Sequence, residues 1–172
     1  MKKIIILSDT HKNQKILRNV FEIESDYTHI FHLGDDYEDL DNNFDITNGI
    51  EFFRVPGVYH PGYSNGTLPI ILEIEINNWR FALAHRLEDL LKTSIPADIY
   101  LYGHTHHSNY DHIEDKHFIN PGHLKAKTDR SQKASYAVIT IYKSNLEIQF
   151  KHLNGKVFKN KIISKLSPKC YN

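Results

Sequence analysis

Apolar residues along this chain come in short runs, each halted by a cluster of polar residues, glycine or proline. Lys3 to Leu7 is a near-continuous apolar run rich in β-branched residues, which predicts a strand buried on both faces. It breaks at Ser8-Asp9-Thr10-His11. Ile16, Leu17, Val20, Phe21 and Ile23 then recur at helical spacing, predicting a helix over Asn13 to Glu24. Thr28 to Leu33 is a second strand, ending at Gly34-Asp35-Asp36, and Glu51 to Val55 a third, ending at Pro56-Gly57. This order predicts a β-α-β opening with parallel pairing.

Further on, Ile70 to Ile76 and Trp79 to Ala84 flank Asn77-Asn78, the pattern of a tight hairpin. Leu87 to Leu91 predicts a short helix, and Asp98 to Tyr102 a strand that stops at Gly103-His104-Thr105-His106. The texture then becomes antiparallel. Tyr110 to Ile113 pairs with Phe118-Ile119, followed by strands over Tyr136 to Tyr142, Leu146 to His152 and Val157 to Ile163, with Asn154-Gly155 as a turn. The expectation is two packed mixed sheets flanked by helices. Repeats, linkers and low-complexity segments are not evident.

Composition narrows the choices. At 172 residues the chain is expected to form one domain, 1–172, around one sizeable core. Twenty-one basic and twenty-one acidic residues cancel, so no whole-molecule field draws in DNA or an acidic membrane. An anionic substrate must be held by local charge. The apolar run from Ile4 to Leu7 is too short for a secretory or membrane segment, so the expected setting is cytoplasmic. Cys170 is the single cysteine, which excludes an internal disulfide or a thiolate cluster and leaves nitrogen and oxygen as metal ligands. Histidine is the compositional oddity: there are 12.

Position gives those histidines meaning. Asp9, Asp35, His85 and the His104/His106 pair each follow the carboxyl end of a different expected strand, the edge where α/β sheets bind ligands. Asp9 and His11 are two apart, as are His104 and His106, so in an extended loop each pair points one way and can grip one ion. Gly34 and Gly103, each next to a candidate ligand, suggest backbone that turns sharply or approaches something closely. Two carboxylates and four imidazoles suit borderline dications better than calcium or magnesium. Two dications against two carboxylates and a bridging hydroxide leave a positive pocket, fitted to phosphate.

Asp9-Thr-His11, Gly34-Asp35, His85 and Gly103-His104-Thr-His106 together resemble the calcineurin-like metallophosphoesterase family, in family order. Asn120-Pro121-Gly122 is similar to a segment of its small bacterial and archaeal phosphodiesterase branch. The resemblance implies a four-layer α-β-β-α sandwich and two divalent ions, manganese first, with zinc, iron or nickel as alternatives. It implies that Asp9, His11 and His106 hold the first ion, His85 and His104 the second, and that Asp35 bridges them. The implied activity is hydrolysis of small phosphate esters, most naturally diesters, by metal-activated hydroxide.

The pattern breaks at Gly57-Val58-Tyr59-His60, where relatives carry Gly-Asn-His-Asp or Gly-Asn-Cys-Asp. Val58 cannot donate to a metal, so the second site should be weak. His60 is the candidate substitute ligand or general acid, because the phenol of Tyr59, with an ordinary pKa near 10, is a poor donor at neutral pH. His123 stands where relatives resemble Asn-Pro-Gly-Ser and is expected to face substrate. His29, His32, His112 and His117 are read as structural, and His107 is left open between a loop residue and a site residue. Lysines at 143, 151, 156, 159, 161, 165 and 169 read as edge-strand protection rather than a nucleic-acid surface. The acidic run from Asp35 to Asp41 would repel a long polyanion. The alternative reading, favoured by Val58, is a catalytically weak or inactive member of the fold serving as a protein-interaction scaffold.

Overall fold

The computed structural model describes residues 1–165; Lys169 and Cys170 lie outside the described residues. Strand β1 (Lys2–Leu7) is central because both its faces are apolar. Ile4 and Ile6 enter the core between two sheets, while Ile5 and Leu7 pack outward under helix α1 (Gln14–Ile23). Leu17, Val20 and Phe21 form the buried stripe of α1, as its spacing predicts. The Asn13 side chain caps the helix by accepting the Ile16 N–H at 3.2 Å. Its amide also donates to the Lys125 carbonyl, tying the helix start to a distant loop.

Strands β2 (His29–His32) and β3 (Glu51–Arg54) lie parallel to β1 on one side. On the other side, β11 (Ser135–Ile141), β12 (Asn145–His152) and β13 (Val157–Ser164) continue antiparallel. The first sheet therefore runs β13-β12-β11-β1-β2-β3. In the second sheet, β4 (Ile71–Ile76) and β5 (Trp79–Ala84) form the expected hairpin, with Asn77 and Asn78 both at left-handed φ. β6 (Ile99–Leu101) and β8 (Lys116–Asn120) run parallel to β5, and β7 (Asn109–Ile113) closes the edge antiparallel to β8.

Phe31, Leu33, Phe81, Leu83, Ile99 and Leu101 fill the space between the sheets with Ile4 and Ile6. Each such side chain contributes about 1.5–3 kcal/mol by leaving water. Beyond the second sheet, α4 (Leu87–Leu91) buries Leu90 against Ala82, Ala84, Tyr100 and Phe118. The result is the four-layer α-β-β-α sandwich of two mixed sheets that the resemblance implies.

Some elements have no counterpart in the sequence reading. A 3₁₀ turn at Asp41–Asn43 leads into α2 (Phe44–Thr47), and α3 (Pro61–Ser64) follows β3. A two-stranded ribbon, β9 (Thr128–Asp129) with β10 (Gln132–Lys133), precedes β11. All are too short for a hydrophobic period to register.

Candidate metal centre

The loops after β1, β2, β5, β6 and β8 converge and are stitched together by backbone bonds. Asp9 N–H donates to the Gly34 carbonyl at 3.0 Å, Gly103 N–H to that of His85 at 3.0 Å, and Leu124 N–H is shared between Ser8 and Asp9 carbonyls. Donor atoms of Asp9, His11, Asp35 and His106 consequently all lie within 4.8 Å of one another. His11 Nε2 is 2.9 Å from Asp35 Oδ2 and 3.2 Å from His106 Nε2, and His106 Nε2 is 3.3 Å from Asp9 Oδ1. Ligands held about 2.1 Å from one ion are themselves about 3.0–3.4 Å apart. The four residues thus present the spacing of a coordination shell.

His85 and His104 sit beside this cluster, their ring centroids 5.0 Å apart, with His85 Nε2 3.3 Å from Asp35 Oδ1. Asp35 therefore stands between the two groups. Here the structure corrects one inference from spacing: His104 and His106 do not share an ion-sized space, since His104 pairs with His85 while His106 joins Asp9 and His11. The reason lies in the backbone. Asp9, His11, Asp35, His104 and His106 all adopt left-handed φ, between 46° and 68°, so the loops are tight turns and not extended segments. Each such non-glycine residue costs roughly 1–3 kcal/mol and persists only where surroundings over-determine it. Strain of this kind concentrates at functional sites.

Glycines make the approach possible. A Cβ on Gly34 would meet His85 Nδ1 at 2.6 Å, one on Gly57 would meet Asp35 Cα at 2.6 Å, and one on Gly103 would meet Asp9 Oδ2 at 2.8 Å. Gly57 places the Val58 segment directly against the Asp35 loop.

Hydrogen bonds fix which imidazole nitrogens face inward. His85 Nδ1 donates to the Leu33 carbonyl at 2.8 Å, which turns Nε2 toward Asp35. That Nε2, and Asp9 Oδ1, are buried and have no aligned hydrogen-bond partner among the described residues. Buried polar atoms without partners cost about 1–3 kcal/mol each. Two unpaired acceptors aimed into a group of imidazoles and carboxylates are the donor set a divalent cation satisfies, so the residues fit the implied metals.

Electrostatics point the same way. Burial pushes the Asp9 carboxyl up, but His106, His85 and the Ser8 hydroxyl outweigh it and hold it below its ordinary value. Asp35 is raised, by burial first and also by the charge of Asp9. His104 is lowered by burial and by His85. A dication among these groups favours ionised carboxylates and neutral imidazoles.

The other expected site residues lie around this centre. His60 caps α3: its Nδ1 accepts the Gly62 N–H at 3.0 Å and its Nε2 is 3.2 Å from Glu38 Oε1. Both ring nitrogens are thus engaged away from the cluster. His60 nevertheless lines a groove of about 340 Å³ with His11, Asp35, Asp36, Glu38 and Tyr59. His123 is fully buried, stacked 5.3 Å behind the His106 ring, with Nε2 3.2 Å from the Gln132 carbonyl. His107 is exposed.

Two supports escaped the sequence reading. Asp129 Oδ2 is 2.5 Å from His106 Nδ1, and its carboxyl is drawn down to about 2 by His106 and Lys125. The buried His32 accepts the Gly34 N–H on Nδ1 at 3.2 Å and meets Asp39 Oδ2 through Nε2 at 3.2 Å. Asp39 also accepts from the Thr10 hydroxyl and the Gln14 amide, so one buried carboxylate links the Asp9 and Asp35 loops. Acidic residues downstream of a ligand motif are too common for spacing alone to single these out.

Residues 1–144 match the model of the calcineurin-like phosphoesterase superfamily domain, and the chain belongs to that family. It is 27% identical over 137 residues to a phosphodiesterase of Methanocaldococcus jannaschii, covering 70% of this chain and 82% of the relative. Among solved structures, a phosphoesterase-like protein of Streptococcus pneumoniae superposes with a TM-score of 0.72 at 23% identity, covering 95% of this chain and 98% of that one. Vps29 of Entamoeba histolytica, in a zinc complex, superposes with a TM-score of 0.67 at 21% identity, covering 94% and 98%. At such identities the last two show a shared fold.

Proposed function

We propose that this chain is a metal-dependent phosphoric ester hydrolase acting on small phosphodiesters. The observation that carries the reading is the convergence of Asp9, His11, Asp35 and His106, with Asp9 Oδ1 and His85 Nε2 buried and unpaired beside them. Asp9, His11 and His106 would hold one ion, His85 and His104 a second, and Asp35 would lie between. Divalent ions there supply Lewis-acid activation of water and of phosphoryl oxygens. Manganese is the first candidate, then zinc, iron or nickel.

The chain's own residues do the rest. The groove beside His11 and Asp35 receives the ester, and its acidic rim of Asp36 and Glu38 disfavours a long polyanion such as nucleic acid. His60 is the proposed proton donor to the leaving group. In that role the ring would have to turn, freeing a nitrogen from the Gly62 N–H or from Glu38, which makes it a weak donor. His123, expected from the sequence to face substrate, lies fully buried behind His106 and outside the lining of the groove, and its proposed role is to brace the His106 ring.

The test is hydrolysis of aryl phosphodiesters of graded leaving-group pKa by metal-stripped protein resupplied with each ion. Turnover should require metal, and because both His60 ring nitrogens are engaged and leaving-group protonation is weak, it should fall steeply as the leaving group becomes more basic. Inactivity with all four metals would sink the enzyme reading. His60→Gln should lose most with the poorest leaving groups.

Val58 supports a second reading, a non-catalytic scaffold that keeps its metal. Bound ions without turnover of any diester or monoester would favour it. None of the described helices is long and apolar enough to cross a membrane, and a cytoplasmic setting remains part of this proposal.

A further inference from the structure

The β9–β10 ribbon is too small to contribute a core of its own, yet it grips one candidate ligand from two directions. Asp129 ends β9, and its Oδ2 is 2.5 Å from His106 Nδ1. Gln132 opens β10, directly opposite Asp129 in the register, and its carbonyl is 3.2 Å from Nε2 of His123, whose ring stacks on His106. Arg130 and Ser131, both at left-handed φ, close the turn between them. Lys125 Nζ is 3.1 Å from Asp129 Oδ1, and the Arg130 guanidinium reaches the Thr105 carbonyl in the His104–His106 loop. The Asp129 side chain is 17% exposed and His106 only 3%, so the contact is largely shielded from water.

An imidazole that donates from Nδ1 to a carboxylate has one tautomer and one ring orientation, with the Nε2 lone pair held outward. At His106 that lone pair points at Asp9 and His11. We infer that Asp129 is a positioning residue for the first metal, and that the Thr128–Lys133 ribbon serves to hold His106 for coordination. The inference rests on the metal-centre reading above. It goes beyond it in assigning a role to a segment outside the ligand motifs.

Partners of this kind typically account for about 10–100-fold in metal affinity. Calorimetric titration of metal-stripped protein with Mn²⁺ and Zn²⁺ tests this directly, together with the visible absorption of bound Co²⁺, which reports ligand geometry. Asp129→Ala should weaken the tighter binding event by about 10–100-fold and alter the Co²⁺ spectrum. Asp129→Asn, whose amide oxygen still accepts from Nδ1, should recover much of that loss. Asp115→Ala, an exposed carboxylate in the β7–β8 turn, should leave both readouts unchanged. Thermal unfolding of each metal-free variant separates misfolding from lost positioning, and Asp129→Asn keeps the test intact if the alanine variant fails to fold. Wild-type affinity and spectrum in Asp129→Ala would overturn this inference alone. Failure of the wild type to take up any ion would overturn the metal-centre reading and this inference with it.

Discussion

On the proposed reading, Val58 is the residue on which occupancy of the second ion site turns. Its neighbour Gly57 packs against Asp35, and the proposed reading places a donor at position 58 beside the second ion. Val58→Asn is expected to raise metal stoichiometry from one firmly bound ion towards two and to raise kcat, measured by metal analysis after gel filtration and by diester turnover. Two ions already bound to the wild type would mean that another group completes the second site, and one ion in both proteins would mean that position 58 does not decide its occupancy. At this scale the sequence was readable for identity and silent on conformation. Asp9, His11, Asp35, His85, His104 and His106 were legible as candidate donors because their motifs follow separate strands in the order of the family they resemble. The left-handed backbone of all of them but His85 was not, because an aspartate or histidine in a tight turn looks in sequence like one in any loop.

At the scale of elements, long periodic segments were legible and short ones were not. Helix α1, the β4–β5 hairpin and the antiparallel run from β11 to β13 fall within a residue or so of expectation, because burial imposes a period on each. The ribbon and α3 carry no period, yet the ribbon holds Asp129 and α3 is capped by His60. Packing between elements also depends on polar ties. Glu24, at the end of α1, accepts from Tyr136 of β11 at 2.8 Å and from Lys151 of β12 at 2.7 Å, and pairs with Lys3 of β1 at 2.9 Å. Burial pushes its carboxyl up, but those three partners overcome this and hold it below its ordinary value of 4.5. A carboxylate depressed on folding stabilises the fold above its unfolded pKa. That contribution is lost as pH falls through the lower, folded value. Glu24→Ala is expected to cost about 3 kcal/mol at neutral pH. Urea unfolding as a function of pH should show the gap between wild type and variant closing below pH ~4.5.

For the whole molecule, strained loops imply that the ligand edge is the least favourable part of the apo fold. A dication that binds only the folded chain should therefore raise the unfolding temperature. The expected gain is about 2.7 kcal/mol at a hundredfold excess over Kd, reversed by chelator and absent in an Asp9→Ala, His106→Ala double variant. Equal melting temperatures with and without metal would contradict the proposed centre. The sequence by itself displayed the hydrophobic periods of the longer elements, the motifs that resemble the family and imply its layered architecture, and the candidate donors, since period and donor chemistry are local properties that a linear chain displays. Only the tertiary structure decided that His60 faces Glu38, that His123 lies behind His106, and that Asp129 and Asp39 stand behind the candidate ligands. These depend on which loops the two sheets bring to one edge and on how each turn is wound, and separations of 95 residues in sequence collapse there to a hydrogen bond's length.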